Sequence, residues 1–325
     1  MKILGIESTA HTFGVGIYDS KKILANEKAY FKPLNEGIVP RKAAEHHAAN
    51  ADKIIASALQ KAKLKMKNID CIAYSAGPGL GPCLQTGATA AAFLAKKFDL
   101  PLIPVNHCHA HIAIAKWQTK FSDPLILYVS GGNTQIIVGA KRGKYFGPPF
   151  SVMGETLDIG LGNLFDMFSR ELGDEFGHGS VIAAKASMGK NYHLLPYTVK
   201  GMNFAFSGLF TYAKKRIGKI EENDLCYSLM ETAFCELCEA TERALMLTGK
   251  KEIIVCGGVA QNTELIKKVK LMAKAHGAKA DTCDNAYNAD NGAMIAYAGF
   301  LELNRGKQIK PQDFWVDQKW RIDQL

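Results

Sequence analysis

Three histidines within five residues are the feature of this sequence most capable of chemistry. His107, His109 and His111 follow the apolar, strand-like run PLIPV. On a helix, His107 and His111 are i, i+4 neighbours on one face, whereas His109 points elsewhere. Neutral imidazoles are common ligands for transition metals, so this spacing predicts one shared metal ion. A helix start with solvated histidines is the alternative.

A site with two histidines requires a further ligand, and an oxygen donor is the usual choice. Asp290 stands immediately before the apolar stretch NGAMIAY, where its carboxylate could bind a metal or cap a helix. Both interpretations remain open. Because Cys108 occupies the place of the glutamate in an HExxH motif, the histidine spacing does not favour a metalloprotease.

Two matched turns and one glycine pair predict a nucleotide site. The turn Ser130–Thr134 reads SGGNT, and Ser8, Thr9 and His11 form its counterpart. Glycine amides and hydroxyl groups in such turns bind anions, although an ordinary tight hairpin is the alternative. The strand EIIVC runs through Gly257 and Gly258 into a helix that carries Asn262, and this junction resembles the adenosine-binding element of actin-like ATPases. Close packing of the helix on the strand is the alternative. Because no GK[ST] follows, the junction is not a Walker A loop.

The elements around these residues repeat. Setting Leu4 on Leu127 without gaps aligns KILGIESTAHTFGVGIYD with LILYVSGGNTQIIVGA, and each segment has the pattern of a β-hairpin. After the hairpins, helices are predicted at 40–62, 86–98, 224–248 and 261–276, with strands at 69–76, 101–105 and 252–256.

This order predicts an α/β protein of two βββαβα halves, 1–123 and 124–325, with a cleft between the hairpin turns. The first half carries the histidine motif. The second half carries the turn Ser130–Thr134, which we call the phosphate turn, and the junction from Gly257 to Asn262, which we call the adenosine motif. A length of 325 residues suits two domains.

The composition narrows the class of protein further. An excess of nine positive charges favours a polyanionic partner such as nucleic acid. No apolar run is long enough for a membrane helix, and eight scattered cysteines suit reduced thiols. We therefore expect a cytoplasmic protein that has no membrane partner.

Taken together, the motifs resemble the universal tRNA threonylcarbamoyladenosine transferases, and the archaeal and eukaryotic branch more than the bacterial one. The matching segments follow the family's order and span nearly the whole chain: GIESTAHTFGVGI, VPRKAAEHHA, AGPGLGPCLQTGATAA, NHCHAHIAIA, LYVSGGNTQ, GETLDIGLGNLFDMFSRELG, NFAFSGL, SLMETAF, VCGGVAQN and DNGAMIAY.

The resemblance implies a duplicated ribonuclease-H-like fold, as in actin, sugar kinases and heat-shock ATPases, with a central cleft. It also implies transfer of threonylcarbamoyl from threonylcarbamoyl-adenylate to adenosine N6 beside the anticodon of tRNA. The metal would be iron or zinc. The nucleotide ligand would be ATP or the adenylate. The implied ligands of the metal are His107, His111, Tyr128 and Asp290. The implied nucleotide contacts are Tyr128, Val129, Ser130, Gly131, Gly132, Asp166, Gly179, Gly257, Gly258 and Asn262.

The chain departs from the family at one point. Where related sequences carry PGGP and then an acidic residue, this one reads GHGS at 177–180 and then Ala183. The acidic residue that the resemblance implies as a ribose contact is therefore missing. The archaeal members act in the KEOPS assembly with a small atypical kinase subunit and a small dimerising subunit. The resemblance therefore implies these partners as well as tRNA.

The chemistry implied is acyl transfer to a weak nucleophile. An exocyclic adenine amine needs an activated acyl group, and a Lewis-acid metal stabilises charge on the acyl oxygen. His11 is our candidate for the general base, with a phosphate hydrogen-bond donor as the alternative. The cluster Lys61, Lys63, Lys65 and Lys67 is a candidate tRNA surface or a solvated face.

Two other functions fit parts of this pattern. An actin-like small-molecule kinase or ATPase would use the same nucleotide clamp, but it leaves the histidines unexplained. A non-catalytic nucleic-acid-binding ATPase module needs the positive charge but no metal. A metal assay on protein purified without chelator distinguishes both from the transferase.

Overall fold

The computed structural model describes residues 1–33, 37–142, 145–175 and 177–325. The β-strands are β1 Ile3–Glu7, β2 Thr12–Tyr18, β3 Ile23–Tyr30, β4 Cys71–Gly77, β5 Leu102–Asn106, β6 Leu125–Val129, β7 Thr134–Arg142, β8 Tyr145–Glu155, β9 Val199–Lys200, β10 Asn203–Phe204, β11 Glu252–Cys256 and β12 Lys279–Thr282. The α-helices are α1 Pro40–Lys61, α2 Gly81–Phe98, α3 His107–Thr119, α4 Leu161–Glu171, α5 Gly179–Ala186, α6 Phe206–Lys214, α7 Glu222–Thr248, α8 Thr263–Ala275, α9 Asn285–Asn288 and α10 Gly292–Leu303.

The chain forms two compact units, each with its own apolar core. The first unit combines residues 1–33, 38–114 and 289–324, and the second is essentially residues 115–288. These units differ from the predicted halves 1–123 and 124–325 because α10 and the segment after it pack with the first sheet.

The two sheets have the same topology. The first sheet has the strand order β3-β2-β1-β4-β5, and the second has β8-β7-β6-β11-β12 when read from the corresponding edge. In each sheet the first three strands are antiparallel, and the last two pair in parallel with the strand before them. The predicted duplication of an α/β unit is confirmed at the level of strand order.

The two predicted hairpins form, but the gapless alignment holds only for their first strands. Leu4 pairs with Ile17 in the first hairpin, whereas the aligned Leu127 pairs with Ile136 in the second. The second partner is therefore shifted by four residues. The cause is a longer first turn, because eight residues separate Ile6 from its partner Val15, whereas four separate the aligned Val129 from its partner Thr134.

Local signals explain where the helices begin and end. Pro40 starts α1, since proline at the first helical position lacks an N–H that would be unpaired there anyway. Gly249 ends α7 with φ of 64°, a conformation that favours glycine. Helix α2 begins at Gly81, which is five residues before the start predicted from the sequence, and it ends at Phe98 as predicted.

Helix α10 lies in backbone contact with the first two strands. A Cβ added to Gly5 would lie 2.2 Å from the amide nitrogen of Ala296, and one added to Gly16 would lie 2.2 Å from that of Ala293. A Cβ at Gly292 would lie 2.2 Å from the amide nitrogen of Gly16. Only glycine allows this approach, which fixes the residues just before α10 relative to β1.

Replacing Gly292 with alanine is expected to destabilise the protein by at least about 2 kcal/mol, because the added methyl group forces α10 away from β2. The thermal unfolding midpoint measures the effect. Gly132→Ala is the matched control, since no atom lies within 4 Å of the added Cβ there. Equal midpoints for the two variants would contradict the close packing of α10.

None of the helices in the described ranges combines the length and the apolar character needed to cross a membrane.

Candidate metal centre and nucleotide site

Three side chains of the first unit converge on one point, as the helical spacing predicts. His107 is the first residue of α3, and His111 lies one turn later on the same face. The Nε2 atoms of His107 and His111 lie 3.5 and 3.2 Å from Oδ1 of Asp290. The three residues each offer a ligand atom within 4.8 Å of the others, which is the arrangement of a possible metal site.

Asp290 does not cap the helix that follows it. The cap is Asn291, whose side chain accepts a hydrogen bond from the amide of Met294. The alternative that Asp290 acts only as a helix cap is therefore wrong. Because Asn291 satisfies the helix end, the carboxylate of Asp290 is available to the two histidines.

A buried carboxylate behind the histidines was not predicted from the sequence. Oε2 of Glu7, at the end of β1, lies 3.0 Å from Nδ1 of His107. Its Oε1 accepts hydrogen bonds from the amide and hydroxyl of Thr9 at 2.7 and 2.5 Å. A carboxylate on Nδ1 holds the ring so that Nε2 points toward Asp290, and it increases the basicity of that nitrogen.

The ionisable groups of this cluster shift one another's pKa values. Burial disfavours the imidazolium of His107, but the carboxylates of Glu7 and Asp290 outweigh it and raise the pKa of His107 to about 9. Burial lowers the pKa of His111. Burial also opposes ionisation of Asp290, yet the two histidines hold its pKa below the usual range. The two carboxylates thus favour a proton on His107, and a metal ion that binds its Nε2 competes with that proton.

Replacing Glu7 with glutamine is expected to weaken metal binding about tenfold to hundredfold, because an amide is a weaker acceptor for the Nδ1 proton of His107. A competition titration with a chromogenic chelator measures the affinity. The control is Glu27→Gln in β3 of the same sheet, where the carboxylate pairs with Lys61. Wild-type affinity in the Glu7 variant would show that this carboxylate does not orient the ligand.

His109 points away from the metal cluster, as predicted. It is buried, and its Nδ1 lies 3.4 Å from Oε1 of Glu302 on α10. Burial lowers the pKa of His109 to about 4, so it is neutral under ordinary conditions. His109 therefore belongs to the packing between α3 and α10.

His11 lies in the turn after β1, at the place the sequence gives it. Its ring stacks on that of Tyr30 with a centroid distance of 5.3 Å, and its Nδ1 lies 3.3 Å from the carbonyl oxygen of Phe31. His47 on α1 contacts the same turn, with Nε2 3.0 Å from the carbonyl oxygen of Ala10. These contacts order the turn. The role of His11 as general base stays a prediction.

The phosphate turn of the second unit is braced by the start of α4. The carbonyls of Ser130 and Gly131 accept hydrogen bonds from the amides of Gly162 and Asn163, at 3.1 and 3.0 Å. A Cβ on Gly132 would meet no atom within 4 Å, so space remains beside this backbone. The turn thus offers glycine amides on a fixed backbone, as an anion site requires.

The glycine pair after β11 lies against the end of β6. Gly257 has φ of 98°, and a Cβ there would lie 2.3 Å from the carbonyl oxygen of Val129 and 3.2 Å from the ring of Tyr128. Gly258, in contrast, has no neighbour within 4 Å of its Cβ position. The second unit therefore brings the predicted phosphate turn and adenosine motif together and leaves an open side at Gly258.

The other predicted nucleoside contacts have structural partners. Asp166 Oδ1 accepts a hydrogen bond from the amide of Gly179 at 2.7 Å, so α4 and the start of α5 hold these two residues together. The side chain of Asn262 caps α8 by accepting from the amides of Glu264 and Leu265. Ala183 packs against the core of the second unit. Their binding roles stay predictions.

Tyr128 is fully buried in β6 of the second unit, where its backbone pairs with Gln135 and Cys256. Its role as a further metal ligand also stays a prediction.

Comparison with known proteins identifies the family. A sequence-family model of tRNA N6-adenosine threonylcarbamoyltransferase matches residues 21–297. The enzyme of that name from Staphylothermus marinus is 46% identical over 99% of this chain and 98% of its own length. The one from Thermococcus kodakarensis is 47% identical over 100% of this chain and 98% of its own. The chain belongs to the tRNA N6-adenosine threonylcarbamoyltransferase family.

Solved structures of lower identity establish the fold of this family member. T. kodakarensis HypF matches 94% of the chain with a TM-score of 0.62 and 15% identity, although the match covers 48% of HypF. A ROK hexokinase from Thermus thermophilus matches 94% of the chain and 100% of its own, with a TM-score of 0.52 and 14% identity. The fold is that of the actin-like ATPases and sugar kinases.

The sequence analysis named His107, His111 and Asp290, which the structure brings together, but it did not name Glu7. One signal was available, because a charged residue ends the otherwise apolar run KILGIE. A carboxylate that follows a buried strand requires a buried partner. The partner is His107, which is 100 residues away in sequence.

Proposed function

We propose that this chain transfers a threonylcarbamoyl group to N6 of the adenosine beside the anticodon of tRNA, with threonylcarbamoyl-adenylate as donor. The observation that carries the proposal is the convergence of His107, His111 and Asp290 in a member of this transferase family. Ligation by two imidazoles and a carboxylate suits iron or zinc.

The reaction balances without an oxidant or reductant. The N6 amine attacks the carbamoyl carbon of the donor, a C–N bond forms, the bond from that carbon to the phosphate oxygen breaks, and AMP leaves. One N6 proton is lost to a base, for which His11 is our candidate. A bound metal would supply Lewis-acid stabilisation of charge on the acyl oxygen.

The residues of the chain have separate tasks in this proposal. His107, His111 and Asp290 hold the metal, with Tyr128 as a further ligand, and Glu7 fixes the orientation of His107. The glycine amides of the turn 130–132 bind the phosphate. Gly257 and Gly258 provide a flat backbone surface for the adenosine, because neither has a side chain.

The nucleotide and protein partners extend this proposal. We infer that ATP occupies the same site as the adenylate, because both carry adenosine and phosphate. We also infer that the chain is the catalytic subunit of a KEOPS assembly, beside a small atypical kinase subunit and a small dimerising subunit. Copurification of those subunits with the tagged chain from its native cells tests this inference.

The decisive experiment is incubation of the metal-loaded protein with threonylcarbamoyl-adenylate, unmodified tRNA and the candidate partner subunits. Digestion of the tRNA and nucleoside mass analysis should show threonylcarbamoyladenosine. Protein stripped by chelator serves as the control, and readdition of iron or zinc should restore the product. Consumption of ATP with phosphorylation of a small molecule, and no modified nucleoside, would instead favour a kinase.

A further inference from the structure

Residues 188–198 form an irregular segment of the second unit between α5 and β9, and we call it the strap. It carries four large apolar or aromatic side chains that stay exposed: Met188 at 58%, Tyr192 at 47%, Leu194 at 80% and Tyr197 at 59%. Exposed large side chains concentrated in one short segment mark an interaction site more often than isolated ones do.

The strap is held in place by one face of α7. Three polar side chains of that helix, Asp224, Ser228 and Glu236, are separated by four and eight residues, which places them on one side. Each of them binds the backbone of the strap. Asp224 accepts from the amides of Lys190 and Asn191 at 2.7 and 3.0 Å, Ser228 accepts from the amide of His193 at 2.8 Å, and Glu236 accepts from the amide of Thr198 at 2.7 Å.

The hydrogen bonds that Asp224 accepts persist at neutral pH. Hydrogen bonds from the amides of Asn191 and Lys190 lower the pKa of Asp224 to about 2. Its carboxylate therefore remains charged, and both of its oxygens can accept hydrogen bonds. A segment without regular secondary structure is thus ordered by side chains of a neighbouring helix. The exposed residues of the strap are held in a fixed arrangement.

Two tyrosine rings of the strap are fixed in the same way. The hydroxyl of Tyr192 lies 3.0 Å from that of Thr232, and its ring packs edge-on against Tyr227. The hydroxyl of Tyr197 donates to Glu239 at 3.1 Å and accepts from Arg243. These rings are held by their hydroxyl groups and are still about half exposed. They therefore offer flat surfaces that lose little side-chain conformational entropy on binding.

The sequence around the strap is basic. No aspartate or glutamate occurs between residues 176 and 220, whereas seven lysines and arginines do. Lys185 and Lys214 pair with acidic residues of the same unit. Among the described residues, the ammonium groups of four exposed lysines have no ion pair: Lys190, Lys200, Lys215 and Lys219.

We propose that the strap and its flanking lysines form a binding surface for the RNA substrate. Unpaired bases stack on Tyr192 and Tyr197, and phosphates contact Lys190 and Lys200. Single-stranded RNA is recognised by this combination of aromatic rings and basic side chains. Unpaired bases would use the tyrosine faces by stacking while the phosphates of the same strand use the lysines, and an acidic protein partner is the alternative that the tests below distinguish. The inference rests on the proposed function, since it presumes that tRNA is the substrate.

The charge contribution is tested with the double variant Lys190→Ala/Lys200→Ala. Its affinity for unmodified tRNA should fall about tenfold, and the slope of log affinity against log salt should become shallower by about two. The matched control is Lys274→Ala/Lys279→Ala, which removes the same charge from exposed positions elsewhere in the unit. Binding is measured by fluorescence anisotropy with labelled tRNA at several salt concentrations.

The stacking contribution is tested at Tyr192. Tyr192→Ala should weaken tRNA binding about tenfold, whereas Tyr192→Phe, which keeps the ring, should bind within about twofold of wild type. Both variants should keep the wild-type affinity for ATP and the wild-type metal content. A purely structural role of Tyr192 predicts instead that the phenylalanine variant, which loses the bond to Thr232, unfolds at lower temperature and binds as poorly as the alanine variant.

The outcomes separate this inference from the proposed function. A wild-type protein that neither binds nor modifies tRNA contradicts both. If the wild type modifies tRNA while the lysine and alanine variants bind it like their controls, only the RNA surface is overturned. Loss of a KEOPS subunit by these variants, with normal tRNA binding, would likewise overturn it and assign the strap to a protein partner.

Discussion

His107→Ala is expected to abolish metal binding and to lower transferase activity at least about a hundredfold, the scale of losing one electrostatic stabiliser of a transition state. Removal of this imidazole takes away one of two nitrogen ligands and leaves the buried carboxylate of Glu7 without its partner. Affinity for ATP should stay within about twofold of wild type, because the predicted phosphate and adenosine contacts belong to the second unit. Elemental analysis, nucleoside analysis and calorimetry measure the three quantities.

His109→Ala is the control for that experiment. The two histidines share one helix turn and are both buried, yet His109 contacts Glu302 and not Asp290. The variant should unfold at lower temperature, because a buried carboxylate loses a neighbour, while its metal content stays at the wild-type level. If His109→Ala loses the metal and His107→Ala keeps it, the assignment of the helical face is wrong.

Gly258→Arg is expected to lower the affinity for ATP at least about a hundredfold without unfolding the protein. No atom lies within 4 Å of the Cβ position of Gly258, so the fold accommodates a side chain there. The same open side is where the adenosine is proposed to pack, and an arginine would fill it. Calorimetric titration with ATP and the thermal midpoint measure the two effects.

The neighbouring glycine gives the matched contrast. Gly257→Ala should destabilise the protein by at least about 2 kcal/mol, because φ of 98° is strained for alanine and its Cβ would lie 2.3 Å from the carbonyl oxygen of Val129. Gly258→Ala should leave the midpoint unchanged. Full ATP affinity in a folded Gly258→Arg protein would remove the adenosine site from this junction.

Local patterns predicted most of the fold. Helix α7 ends at Thr248 because Gly249 adopts a left-handed conformation, and the glycine in the sequence already indicated that end. The return of α10 to the first unit could not be predicted in this way. It depends on the close packing of Gly5 and Gly16 against the backbone at Gly292. No local sequence pattern predicts a contact between residues so far apart in the chain.

The site also combines contacts that local sequence predicts with contacts between distant residues that it does not predict. His107 and His111 were predicted because the period of a helix brings residues four apart together. Glu7 was missed because its contact with His107 depends on the order of the sheet, in which β1 and the strand before His107, β5, run parallel on either side of β4. The cap at Asn291 rather than Asp290 could not be chosen from sequence either, since both residue types are good caps and they are adjacent.

The three-part composition of the first unit has a consequence for synthesis on the ribosome. Chains are made from the N-terminus at about 5–20 residues per second, and domains generally fold as they emerge. The contiguous second unit is complete before residues 289–324 have been made, whereas the first unit still lacks α10 and Asp290 at that moment. The second unit is therefore able to fold first, and the three-residue ligand cluster is assembled only after Asp290 has been made.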